Sequence, residues 1–264
     1  MTRVLSGLAM AALVVGGIWF LPPAAAVALA GCVLLPAFVE YADLARSAGV
    51  VLPRIPSGVA TLAAAAAMAL APAMLGVVAM AGGLLIAVAV LARARREHAL
   101  ATAGAAAFPV LYLGLPLGAL AALAADGGRE VVLLLIGAIA ASDTAQYYGG
   151  RLLGRRPLAP AVSPGKTVEG AVCGVVAAAA TFAGVGAWWL PDLELPARVA
   201  LGLALALVGM AGDLFESHLK RASGVKDSSG LIPGHGGVLD RIDAILFAAP
   251  VYYAVVFFGG AQLP

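Results

Sequence analysis

Six carboxylates in the second half of this chain stand where carboxylates are costly. Asp143, Glu169, Asp213, Glu216, Asp240 and Asp243 fall at or inside the ends of long apolar runs. An acid in hydrocarbon costs at least about 2.5–3.5 kcal/mol, so each should face a cavity, a partner or a metal. Asp213, Glu216, Ser217 and Lys220 recur at i, i+3, i+4 and i+7 of one helix face; Asp240 and Asp243 share another, and Asp143, Gln146 and Tyr147 make a third. Converging at one membrane face, they would form a pocket of oxygen ligands for a hard cation such as Mg²⁺, which binds through few carboxylates plus phosphate oxygens. The competing expectation is a set of interhelical ion pairs with Arg221, Lys226 and Arg241.

Two loops favour phosphate chemistry. The first runs from Lys220 and Arg221 through Gly224, Lys226, Asp227 and Gly230 to Pro233, Gly234, His235, Gly236 and Gly237, just before a helix expected to start near Val238. Glycines let backbone N–H groups approach a phosphate, and the positive end of a helix dipole favours an anion. His235 has no partner histidine at ligand spacing; a phosphate or backbone contact suits it better than metal ligation, and His98 and His218 have no special setting. The second loop carries Arg151, Arg155, Arg156 and Lys166 and ends in Ser163-Pro164-Gly165-Lys166-Thr167. It is not a P-loop, because Pro160 stands where the motif needs glycine and the segment joins two apolar runs.

The elements that position these residues are membrane helices. The 264 residues are 62% hydrophobic and 11% charged, against about 25% charged in a soluble domain, and the mean hydropathy is +1.01. A span takes about 20 apolar residues. Runs near 4–21, 24–38, 57–72, 73–92, 100–124, 131–149, 168–190, 197–217 and 238–259 give an all-α, polytopic integral membrane protein of about nine transmembrane helices. The N-terminal run is read as a span rather than a cleaved signal peptide. Residues 1–130 are expected to be scaffold and lipid-facing surface, with Glu40 and Asp43 as plain loop charges, and residues 131–264 to carry the chemistry. Arg46 and Arg54, then Arg93, Arg95 and Arg96, then Arg151 to Lys166, then Lys220, Arg221 and Lys226 occupy alternate connections, which places them and the site in the cytoplasm. Cys32 and Cys173 lack metal-site spacing and are read as buried small hydrophobes. The net charge of +2 and the absence of basic runs interleaved with aromatics argue against nucleic acid. Trp19, Trp188, Trp189, Tyr147 and Tyr148 are expected at span ends as interfacial anchors.

The unbroken stretch from Ser217-His218-Leu219-Lys220-Arg221 through Lys226-Asp227 to Pro233-Gly234-His235-Gly236-Gly237-Val238-Leu239-Asp240-Arg241-Ile242-Asp243 resembles the signature of phosphatidate cytidylyltransferases. Asp143-Thr144 and Ser163-Pro164-x-Lys166-Thr167-x-Glu169-Gly170 are also similar to that family. Departures are Gly165, commonly a second lysine, Val168, commonly tryptophan, and Ala145-Gln146, where aromatic residues are usual.

The resemblance implies that a phosphatidate oxygen attacks the α-phosphorus of CTP and pyrophosphate leaves, with Mg²⁺ as cofactor and a monovalent cation such as K⁺ beside it. It implies a multi-pass protein of the plasma or inner membrane that is active on the cytoplasmic side, with the bilayer as partner and a homodimer left open. Metal ligation then falls to Asp213 and Asp240, supported by Asp143 and Asp243. Lys220, Arg221, Lys226, Asp227, His235 and Arg241 become the catalytic set. Ser163, Lys166, Thr167, Ser217, Gly236 and Gly237 would bind substrate. A CTP-dependent lipid kinase needs the same groups but attacks the γ-phosphorus. A transporter with an intramembrane acidic site predicts related halves, which this chain lacks. The D-G-x-x-A-R opening of CDP-alcohol phosphotransferases is absent.

Overall fold

A computed structural model describes residues 12–20, 22, 24–93, 96–232, 234 and 236–258. The chain forms two compact units: Met1–Asp126 with Leu219–Ile242, and Gly127–His218 with Asp243–Pro264. The signature loop therefore groups with N-terminal helices from which the second unit separates it in sequence.

The first unit contains α1 (12–20), α2 (Ala24–Ser47), α3 (Arg54–Leu70), α4 (Leu75–Arg93), α5 (Ala99–Pro109) and α6 (Leu115–Asp126), with a π-helical stretch, Val110–Gly114, joining α5 to α6. Of the expected first span, residues 4–11 and 21 lie outside the described residues. The α5–α6 junction follows from Pro109. Proline has no N–H to offer the carbonyl four residues back, and Ala105 O is taken instead by Tyr41 Oη at 3.1 Å. Where the π stretch begins, the Val110 N–H donates to Ala107 O and Phe108 O, and Ala106 O accepts from Ser57 Oγ at 2.6 Å. These bonds tie α2 and α3 to α5 where no water would satisfy the backbone. Phe108 stacks on Tyr112 with ring centroids 5.2 Å apart, and Tyr41 lies against both. At Gly118 a Cβ would lie 2.6 Å from Ala65 O, so α3 and α6 meet backbone to backbone.

In the second unit are α7 (Arg129–Leu153), a hairpin of β1 (Pro157–Ala159) and β2 (Ser163–Thr167), α8 (Val168–Gly184), α9 (Gly186–Trp189) and most of α10 (Leu195–Ala222) and α11 (Leu239–Phe258). α7 packs along α8, and a Cβ at Gly170 would lie 2.6 Å from Gln146 O.

Among the described residues six helices are long and apolar enough to cross a membrane: Ala25–Ser47, Pro72–Ala92, Ala99–Asp126, Arg129–Leu153, Leu195–Ala222 and Leu239–Phe258. Arg54–Leu70 and Val168–Gly184 are shorter apolar helices. The protein is thus an all-α integral membrane protein carrying one short hairpin. Its exposed surface suits a lipid solvent: α4 turns Val77, Met80, Leu84, Val88 and Leu91 outward.

Two sequence expectations change. Cys32 is free but exposed on α2, not buried; Cys173 is free and half-buried. The second apolar run does not end before Glu40, because α2 continues to Ser47 and Glu40 lies buried inside it.

Candidate active site

In the first unit the site is built around the end of α10 and the start of α11. α10 closes in a Schellman arrangement: the Gly224 N–H donates to Arg221 O at 3.1 Å and the Val225 N–H to Lys220 O at 3.0 Å, with Gly224 at φ +73°. Lys220, in the last turn, pairs with Asp240 in the first turn of α11, both almost wholly buried. The other oxygen of Asp240, Oδ2, accepts from Ser228 N (3.0 Å), Ser228 Oγ (2.8 Å) and Gly237 N (2.7 Å). Asp240 thus gathers loop donors on one oxygen and the ammonium on the other, and the single Ser228 hydroxyl proton is shared between Asp240 and Glu40. A glycine is needed at 236, where φ is +77° and a Cβ would lie 2.6 Å from Asp240 Oδ2.

Glu40 reaches the same loop from α2 and is only 4% exposed. Its carboxylate accepts from Ser229 Oγ (2.6 Å), Ser228 Oγ (3.0 Å), Val238 N (2.9 Å) and Leu239 N (2.7 Å). A helix start leaves its first N–H groups without intrahelical partners. Here those of Gly237, Val238 and Leu239 end on the carboxylates of Asp240 and Glu40. The donors expected to face a phosphate are therefore engaged within the protein. Arg221 Nη1 donates to Val225 O at 3.1 Å, while Lys226, Asp227 and Arg241 are exposed. His235 lies outside the described residues.

In the second unit the cationic loop folds as the β1–β2 hairpin, pairing Pro157 with Thr167 and Ala159 with Ser163. β2 delivers Lys166 to Asp213 of α10 as an ion pair. Thr167 caps α8, its hydroxyl accepting from Gly170 N at 3.1 Å, so that oxygen has a structural use. Glu169 accepts from Arg155 N (3.0 Å), Arg156 N (3.1 Å) and Arg156 Nε (3.0 Å), which explains an acid at this span end through the hairpin. Asp143 and Tyr147 are exposed on α7 while Gln146 is buried. On α10 Glu216 is fully buried, and Ser217 is half-buried, as are Ser163 and Asp243.

Among the described residues no three His, Cys, Asp or Glu side chains gather into a metal-holding group. Instead, the two acids expected as principal ligands, Asp213 and Asp240, each hold a lysine ammonium. Sequence reasoning missed Glu40, Ser228 and Ser229. For Glu40 the signal was present, since it follows the run Val33-Leu34-Leu35-Pro36-Ala37-Phe38-Val39, and the cost of an acid in an apolar segment applies there too.

The profile of the cytidylyltransferase family matches residues 1–258. A phosphatidate cytidylyltransferase of Helicobacter pylori is 42% identical over 153 residues, 58% of this chain and 57% of that protein. One from Synechocystis is 48% identical over 133 residues, 49% of this chain and 44% of its own length. Another, from Haemophilus influenzae, is 43% identical over 142 residues, 50% and 47% of the two chains. The chain spans about half the length of the curated relatives it matches.

Proposed function

Because the chain belongs to the cytidylyltransferase family, we propose that it transfers the cytidylyl group of CTP to phosphatidate, giving CDP-diacylglycerol and pyrophosphate on the cytoplasmic side of the inner membrane. The observation that carries this reading is the family match across residues 1–258; the names of the relatives supply the lipid acceptor.

The chemistry is a charge problem. A phosphomonoester with a second pKa near 6 is already largely ionised at neutral pH, so its oxygen needs no strong base to attack the α-phosphorus. A new P–O bond forms there, the α–β bridging P–O bond breaks, and pyrophosphate carries the electron pair away. Bringing two phosphate groups together requires cations that neutralise and orient them. Lys220, Arg221, Lys226 and Arg241 are assigned to this task in the first unit, Lys166 and Ser163 in the second. Gly236 and Gly237 serve by shaping the loop, and apolar helix surfaces admit the acyl chains from the bilayer.

Mg²⁺ fits the donor chemistry: the acids offer oxygen only, and two of them already carry a cationic partner. The family resemblance implies Asp213, Asp240, Asp143 and Asp243 as the acids that would serve metal, with a monovalent cation besides, and Mg²⁺ would supply neutralisation of the triphosphate. With Mg²⁺ at these acids, the ammonium groups of Lys166 and Lys220 would be available to phosphate.

The same reading counts about nine crossings. To the six long helices it adds the run near 4–21 and the helices Arg54–Leu70 and Val168–Gly184; each of these two has 17 residues, about the minimum for a span. The alternation of basic connections supports a cytoplasmic site.

The test is a detergent-micelle assay of purified protein with α-³²P-CTP, phosphatidate and Mg²⁺. Label in the organic phase, dependent on Mg²⁺ and matched by pyrophosphate, is the expected result. Unlabelled lipid with release of CDP and a newly phosphorylated alcohol acceptor would overturn it in favour of a lipid kinase.

A further inference from the structure

We infer that Glu40 is a positioning residue for the catalytic loop: α2, in the half of the chain that carries no signature, holds Ser228, Ser229, Val238 and Leu239 in their working form through one buried carboxylate. This rests on the cytidylyl-transfer reading, and the contacts all lie within the first unit.

Every donor on Glu40 belongs to the loop or to the start of α11. Ser228 and Ser229 bind it from the middle of the loop, and Val238 and Leu239 from its end. One turn further along α2, Leu44 O lies 2.9 Å from Ser223 Oγ, whose proton it shares with Leu219 O, and so touches the beginning of the loop. One helix face thus meets the loop at its start, middle and end. Ser228 Oγ, 3.0 Å from Glu40 and 2.8 Å from Asp240, links this anchor to the Lys220–Asp240 pair. A loop rich in glycine loses more conformational entropy on ordering than most sequences; hydrogen bonds to a charged acceptor are the stronger kind that can offset it. The fit is close at Gly237, where a Cβ would lie 2.5 Å from Glu40 Oε2.

Glutamine at position 40 keeps the shape but replaces one acceptor oxygen with an NH₂ that faces N–H and O–H donors. In detergent, E40Q is expected to remain monodisperse and to lose about tenfold to a hundredfold in kcat/KM for CTP per folded molecule, the scale of one or two charge-assisted hydrogen bonds. Amide exchange should rise in peptides covering 223–239 and not in those covering α7 and α8. Ser229→Ala, which removes one donor and leaves the carboxylate, should lose about threefold to tenfold, and E40Q with S229A should lose less than the product of the two. A purely structural role would lower the yield of folded protein and leave kcat/KM and the loop's exchange unchanged; that result overturns the inference. If E40Q does not fold, S229A decides, since wild-type kinetics and exchange in that variant also overturn it. If wild-type protein makes no CDP-lipid, the functional reading falls, and loop exchange in E40Q and S229A still tests the anchor.

Discussion

The two lysine–aspartate pairs use the same chemistry in different surroundings. Lys220 and Asp240 have side chains 11% and 5% exposed and are joined to donors from the loop. Lys166 and Asp213, 18% and 26% exposed, meet where a two-stranded hairpin touches a helix. Burial decides what each pair contributes. An enclosed pair leaves an uncompensated charge when one partner is removed, a loss of about 3–5 kcal/mol, while a fully exposed pair is worth about 0–1 kcal/mol, and the part-buried hairpin pair falls between the two. The pair in the first unit is therefore part of the architecture as well as the chemistry; the hairpin pair is freer to exchange its partner for substrate.

The largest effect should come from breaking the first pair. Asp240→Asn is expected to abolish turnover in the micelle assay and also to lower thermal stability by about 3 kcal/mol, because Lys220 loses its buried counter-charge. Asp213→Asn should abolish turnover with a smaller loss of stability, because its pair with Lys166 is only part-buried. Equal stability losses would erase the distinction between the pairs, and full turnover in either variant would remove that acid from the metal site. Next in size is Gly236→Ala. It places a Cβ at φ +77° and 2.6 Å from Asp240 Oδ2, costing about 1–2 kcal/mol in backbone strain alone and displacing the acid. Turnover should fall at least tenfold, and thermal unfolding in detergent should report the strain.

Much of this is legible in the sequence, by rules that have clear limits. The faces on α10 and α11 follow from helical spacing, and α11 begins one residue after the expected Val238. Apolar runs mark the spans because length and composition decide crossing. A local rule makes Glu40 a loop charge because an acid normally ends a span; in the structure serines and N–H groups nearly two hundred residues away satisfy it, and no local rule supplies partners at that separation. Asp43, three residues on, also lies inside α2 rather than in a loop, but it is half-exposed and paired with Arg54. The hairpin escapes sequence reasoning because β1 has three residues and β2 reads Ser-Pro-Gly-Lys-Thr, with neither alternation nor β-branched content over most of its length to announce a strand. The Lys–Asp pairing itself is beyond such rules: spacing places acids on a face, and only tertiary structure assigns their counter-charges.

Gly165 gives the smallest and most discriminating test of the hairpin. Unlike Gly236, it has no positive φ, and a Cβ added there would meet no atom within 4 Å, so the backbone does not require glycine. The family resemblance puts a second lysine at this position, next to Lys166. Gly165→Lys should therefore fold normally and add one exposed cation beside the proposed phosphate-binding lysine, worth up to about 1 kcal/mol, or a KM for CTP or phosphatidate lowered by about twofold to fivefold at low salt. Because exposed charges are screened within about 8 Å at physiological ionic strength, the gain should shrink as salt rises. A KM unchanged at low salt would mean that phosphate does not approach this end of the hairpin and that Lys166 stays with Asp213. The hairpin pair would then be as fixed a part of its unit as Lys220–Asp240 is of the other.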